Sequence, residues 1–413
     1  MVSRVRSGAP LDLNQLYGQD PGAANVGFAL NEPTLGGVSL DGNNQVLTRD
    51  EFVRGAAALA PQLAEPVAQA ALARLQQRFD LGGVAPAPPA GVAPTNAPLL
   101  HAKDLKPLVL PSLGIDIGAD MVVVGKSVVT AADTFDASMS RGRLVVGRRS
   151  LTAQFPQLGA VMGSPSWVTR GTRTELYFLA APDLASAPRM YRSTFSGNRL
   201  STPTPVALPP GVDSMISWPK VVGDGGDRLL MISRDATGQI HLSASADGAR
   251  FQDTGVAFPQ GAMHSLARSP GGTLAVSYQQ GQMVQMHSLV RVSHDGRRFS
   301  APLELAPWSP NVHDATLLPR ADGRGFDAYF IANDGGPGFS LFRRQVRDDG
   351  TLGATERLTS AAETGEASKP SVVRLPGGGV RLVVAQIAQR APTGEPSVQR
   401  FLGATLPGDV PAT

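Results

Sequence analysis

Eight side chains able to bind a ligand or move a proton cluster near equivalent points of a long repeat: Asp213, Trp218 and Lys220; His264; His313 and Asp314; Glu366 and Lys369. The points themselves are Pro165, Pro219, Ser265, Ala315 and Pro370, which lie 54, 46, 50 and 55 residues apart. The carboxylates Asp213, Asp314 and Glu366 could divide into acid and base if their surroundings push their pKa values apart, with His264 or His313 assisting. Trp218, Lys220, His264, His313 and Lys369 supply an indole face, imidazoles and ammonium groups for a bound ligand. An Asp/His set could instead hold a divalent metal. Such groups act together only if the elements carrying them converge.

The repeat supplies that convergence. Each unit holds an apolar second strand, at Leu176 to Leu179, Leu229 to Ile232, Leu274 to Tyr278, Phe326 to Ile331 and Val380 to Ile387. Third strands follow at Arg189 to Ser193, Ile240 to Ser245, Val290 to Ser293, Ser340 to Val346 and Val398 to Ala404, and a fourth at Ala301 to Leu305. A period near 50 residues with several short strands per unit predicts a mainly β chain folded as a β-propeller. Met121 to Thr130 and Arg143 to Ser150 read as strands of a further, divergent unit, giving six blades. The alternative is a five-bladed ring in which these strands complete the last blade and remove its exposed edge. Loops entering the innermost strands of a propeller share one face around the axis, so the eight residues are expected to form an axial funnel.

Upstream, residues 1–38 show no period and read as an irregular arm. Thr48 and Glu51 form a capping box that starts a helix at Arg49, and a second helix runs from Pro66 to Phe79, so residues 39–83 read as a small α-helical unit. Residues 84–112 are rich in Pro and Ala and read as a linker, with the propeller over 113–413. The run Asp41-Gly42-Asn43-Asn44 followed by Glu51 resembles an EF-hand loop. Counting back from Glu51 puts Leu40 first, so the loop works when lengthened by one residue from Ser39, with Asp41, Asn43 and Glu51 as calcium ligands. Otherwise Glu51 serves the cap alone.

Two turns are nearly identical: Ser245-Ala246-Asp247-Gly248-Ala249-Arg250-Phe251 and Ser293-His294-Asp295-Gly296-Arg297-Arg298-Phe299. Ser and Asp side chains can bond backbone groups in such a hairpin, and Gly supplies positive φ. These copies resemble the Asp-box (BNR) repeats of sialidase-like propellers, with one residue fewer between Asp and Gly and Phe in place of Trp. Asp349-Gly350 and Ser196-Gly197-Asn198 are weaker echoes. The resemblance covers roughly residues 113 to 407 and implies a fold with its turn motifs at the periphery. It further implies that a sialidase would carry an arginine trio, a Tyr nucleophile paired with Glu, and an Asp acid/base. No Arg-Ile-Pro type motif occurs early in the repeat, and Tyr177, Tyr191, Tyr278 and Tyr329 fall inside strands, where burial explains them.

Composition narrows the partners. The 37 basic and 34 acidic residues leave a net charge of +3 with no dense basic run, which disfavours a nucleic-acid surface. Cysteine is absent, excluding disulfides and thiolate chemistry. No apolar run is long enough for a membrane span, and no secretory signal is visible, so the chain reads as soluble; an extracellular or cell-surface site is what such propellers suggest. The expected function is a non-enzymatic binding module recognising a glycan or protein surface through its axial face. The alternative is a glycoside hydrolase or lyase using Asp213, Asp314 and Glu366, and a further one is a structural part of a larger assembly.

Overall fold

The computed structural model describes residue 94 and residues 96–409, apart from 137–141, 183–185, 187, 211–218, 236–237, 260, 283–284, 310, 334–337 and 391–395, and a short ladder of Thr34–Leu35 with Val38–Ser39. That ladder falls at the end of the segment expected to be irregular. The helices expected at 49–79, with Asp41, Asn43 and Glu51, lie outside the described residues.

Six antiparallel units follow one another. Four are separate sheets, begun by the first strands Val161–Arg170, Lys220–Gly223, Ala262–Arg268 and Val312–Pro319. The other two begin with Ile115–Val124 and Ala367–Arg374 and merge into one eight-stranded sheet through a single parallel pair, Gln399 with Ile115. We number the units 1 to 6 from Ile115. Each first strand touches the first strand of the next unit, and that of unit 6 touches that of unit 1, so the contacts close into a ring. The chain is therefore a β-propeller with first strands innermost. Second strands such as Leu229–Arg234 and Phe326–Ala332 are buried along their whole length, which explains their unbroken apolar runs.

Residues 115–150 supply a first strand that touches those of both units 6 and 2 and are joined to unit 6 by the Gln399–Ile115 pair, so among the described residues they add a sixth unit to the ring beyond the five of the alternative. The expected strand Met121 to Thr130 is a hairpin: Ile115–Val124 pairs with Ser127–Phe135 around Gly125, whose φ of 62° permits the tight reversal. Ring closure uses the chain just upstream instead. Lys106–Pro107 pairs with Pro396–Leu406 as the outer strand of unit 6. Leu100 and Leu105, 5% and 8% exposed, pack with Leu341, Leu358, Leu382 and Leu402 between units 5 and 6. The later half of the segment expected as a linker is thus packed on the ring, because its leucines have an apolar seam to fill.

Units 2 and 5 share a clamp. In unit 2, Arg170, Glu175, Tyr177 and Arg192 occupy the register positions held in unit 5 by Arg320, Asp327, Tyr329 and Arg343. Arg170 donates to Ala246 O at 3.1 Å and Tyr177 Oη to Gly248 O at 3.1 Å, while Arg192 reaches Asp247 O. Arg343 donates to Gly408 O at 2.6 Å in unit 6. Each clamp grips the turn after the third strand of the next unit. Glu175 and Asp327 neutralise the arginines from buried positions, Asp327 meeting Arg320 at 3.0 Å.

Candidate functional site at the axial end

Each first strand enters the ring at one end and leaves at the hairpin end. Near the entry, register shifts mark an extra residue in units 1, 2, 4, 5 and 6. Bulges re-aim side chains, and here they lie on the innermost strands of the ring. Ser164, Asp314 and Lys369 sit there at φ of 53°, 52° and 44°, the left-handed region that costs a non-glycine residue about 1 kcal/mol. Such strain persists only where surrounding contacts hold it.

Those contacts link neighbouring units. Lys369 N–H donates to Asp314 Oδ2 at 3.2 Å, tying the bulge of unit 6 to that of unit 5. Asp133, from the second strand of unit 1, accepts Gly118 N–H at 2.6 Å and Ser164 N–H at 3.1 Å, tying units 1 and 2. Burial pushes its carboxyl up, while the Lys369 ammonium and the two N–H groups pull it down. Asp120 accepts Trp167 N–H at 2.6 Å and meets Lys220 Nζ at 2.6 Å. Lys220 belongs to unit 3 and Asp120 to unit 1, so the ammonium reaches past unit 2 across the interior.

His313, Asp314 and Glu366 come together. Burial depresses the imidazole of His313 below its ordinary value, and the carboxylates of Asp314 and Glu366 oppose that fall. The ring stands edge-on to Phe339 with centroids 4.9 Å apart. A neutral imidazole in this position can both donate and accept a hydrogen bond. His264 is buried at its bulge, one position later than the sequence alignment placed it: Ser265 pairs with Ser277 as Ser166 pairs with Tyr177, so Ser265 matches Ser166, not Pro165. Asp213 and Trp218 lie outside the described residues.

Among the eight expected residues the structure brings His313, Asp314 and Glu366 together, with the Lys369 N–H on Asp314 and the Lys369 ammonium acting on Asp133. Asp133 and Asp120 were missed by the sequence reading. Their signal was a lone carboxylate inside the apolar runs Thr130-Ala131-Ala132-Asp133 and Ala119-Asp120-Met121-Val122. No three His, Asp or Glu side chains among the described residues are placed to hold a metal ion.

Arginines concentrate at the other end. Arg170, Arg268 and Arg374 are the last residues of their first strands and Arg320 follows one directly. Tyr177 and Tyr329 lie fully buried in the clamps, and burial pushes both phenols up to about 12.

No protein-family model and no curated protein matches the sequence. Solved structures do match the fold. A protein of unknown function from Dyadobacter fermentans aligns over 76% of this chain and 100% of its own, with a TM-score of 0.55 and 13% identity. A variant of the NanB sialidase from Streptococcus pneumoniae aligns over 76% of this chain and 71% of its own, at a TM-score of 0.53 and 9% identity. The intramolecular trans-sialidase from Ruminococcus gnavus aligns over 75% and 96%, at 0.52 and 10%. At these identities the likeness establishes a sialidase-like propeller fold and leaves activity to the site. No helix among the described residues is long and apolar enough to cross a membrane.

Proposed function

We propose that the chain is a glycan-binding propeller whose axial end receives the sugar. The observation carrying this reading is the pairing of the Asp314 and Glu366 carboxylates on the imidazole of His313, next to the strained backbone of Asp314 and Lys369. Carboxylates accept hydrogen bonds from hydroxyl groups, an ammonium donates them, and an imidazole does either. Asp314 is oriented by the Lys369 N–H, so one face of its carboxylate is fixed before a ligand arrives. A role without hydrolysis is supported by the arginines of the first strands, which lie at the far end and hold turns together. It is also supported by the burial of Tyr177 and Tyr329. The Ser245 and Ser293 turns fit Asp-box motifs at the periphery, and calcium at Asp41, Asn43 and Glu51 belongs to the same proposal.

The second reading, a glycoside hydrolase, is favoured by one feature: two carboxylates act on a single imidazole. Asp314 and Glu366 would then serve as acid and base with His313 or His264 assisting.

Glycan-array binding by the full chain, with and without calcium, compared with Asp314→Asn and Glu366→Gln, tests the first reading. Binding should fall at least tenfold in both variants, since each carboxylate hydrogen bond contributes roughly 1.5 to 3 kcal/mol. Unchanged binding in both would remove the axial site. Release of fluorophore from a panel of aryl glycosides, lost in Asp314→Asn, would instead establish the hydrolase.

A further inference from the structure

We propose that the seam between units 1 and 2, at the hairpin end of the ring, binds a small amphipathic carboxylate: one anionic head on a short apolar tail. A cavity of about 200 Å³ opens there. Its rim carries Arg148 and Arg149 from one turn of unit 1 and Arg199 from one turn of unit 2, and no carboxylate is among its described lining residues. Its apolar wall is formed by the half-buried Val128 and Val129, backed by the buried Val146, Leu151 and Phe195.

Three guanidinium-bearing side chains line one small cavity, and an anion within it is attracted by all three. Arginines that join neighbouring units are committed: Arg170, Arg192, Arg320, Arg343 and Arg374 all bond backbone carbonyls or carboxylates. Here they are not. Among the described residues the side chains of Arg148 and Arg199 make no hydrogen bond or ion pair, and that of Arg149 donates only to Asn198 O at 3.4 Å. The two turns are held by left-handed residues, Gly147 at φ 60° and Gly197 and Asn198 at 55° and 61°, so the charges are presented from rigid hairpins. Guanidinium forks match a carboxylate bidentately, and the apolar wall adds burial for a tail. A bare phosphate or sulfate gains nothing from Val128 and Val129, which is why the occupant is an amphipathic acid and not an inorganic anion.

The test titrates the full chain with octanoate, octan-1-ol and acetate, following heat or ligand-observed NMR. Octanoate should bind saturably, with octanol and acetate each weaker by about tenfold or more. A triple variant, Arg148→Ala, Arg149→Ala and Arg199→Ala, should lose about tenfold or more for octanoate and keep both its melting temperature and its glycan binding at the axial end. Raising sodium chloride to about 0.5 M should weaken octanoate while leaving octanol unchanged in the native chain, a comparison that stands even if the triple variant fails to fold. Equal binding of octanoate and octanol, equal binding of octanoate and acetate, salt-independent octanoate binding, or wild-type affinity in a folded triple variant would each overturn the site.

Discussion

Asp314 illustrates how one residue does two jobs. Its carboxylate accepts the Lys369 N–H and its backbone sits at φ 52°. Asn tolerates that backbone and keeps an acceptor oxygen, whereas Ala keeps neither. Asp314→Asn should therefore leave the urea midpoint nearly unchanged, while Asp314→Ala should lower stability by about 1 to 3 kcal/mol. Burial depresses His313 below the ordinary imidazole value, so it takes up its proton at a lower pH than a free histidine, and glycan affinity should begin to change at a lower pH than free imidazole titrates. Asp327 behaves oppositely. Burial pushes its carboxyl up from 3.8 to about 6 despite Arg320 and Arg343. The folded state then holds a proton that the unfolded chain has released, so this contribution is complete below about pH 4 and lost as pH rises through about 6. Equilibrium unfolding at pH 4 and pH 7 should show this loss in the native chain and a smaller pH dependence in Asp327→Asn. None of these shifts was legible in the sequence, because each depends on burial by units distant along the chain.

At the level of the element, the two Ser-x-Asp-Gly turns were readable in advance, since their bonds are local. Asp247 Oδ1 accepts from Ala249 N at 2.8 Å and Arg250 N at 3.0 Å, and Asp295 Oδ1 from Arg297 N and Arg298 N at 2.8 Å. These bonds hold both carboxyls down at about 2. What lies beyond the hairpin differs between the copies. A Cβ on Gly248 would meet Tyr177 Oη at 2.4 Å and Arg192 Nη1 at 2.8 Å, whereas one on Gly296 would meet only Leu274 Cδ1 at 3.2 Å. Both glycines have positive φ, 72° and 69°, so the backbone strain is common to both substitutions. Gly248→Ala should therefore lower the melting temperature more than Gly296→Ala, because only the first breaks the clamp from unit 2. Phe251, 2% exposed and packed at 6.1 Å on Tyr177, should cost about 3 to 5 kcal/mol when replaced by Ala.

At the scale of the whole molecule, closure decides stability. Lys106–Pro107 is the outer strand of unit 6 and leads directly into unit 1, so one segment joins the ring's two ends. A chain beginning at residue 113 should lose the Leu100 and Leu105 seam together with that strand and melt at a markedly lower temperature than one beginning at residue 94, as scanning calorimetry would show. Local pattern alone determined the strands, their period, the tight turns and the mainly β propeller, because turn chemistry and apolar alternation act within a few residues. The tertiary structure decided the number of units, the closing strand, the opposite placement of arginines and axial carboxylates, and the company kept by Asp133, Lys220 and His313. Those outcomes rest on contacts between units, by residues 31 to 285 positions apart, whose energies follow from burial and Coulomb attraction and leave no mark on neighbouring sequence.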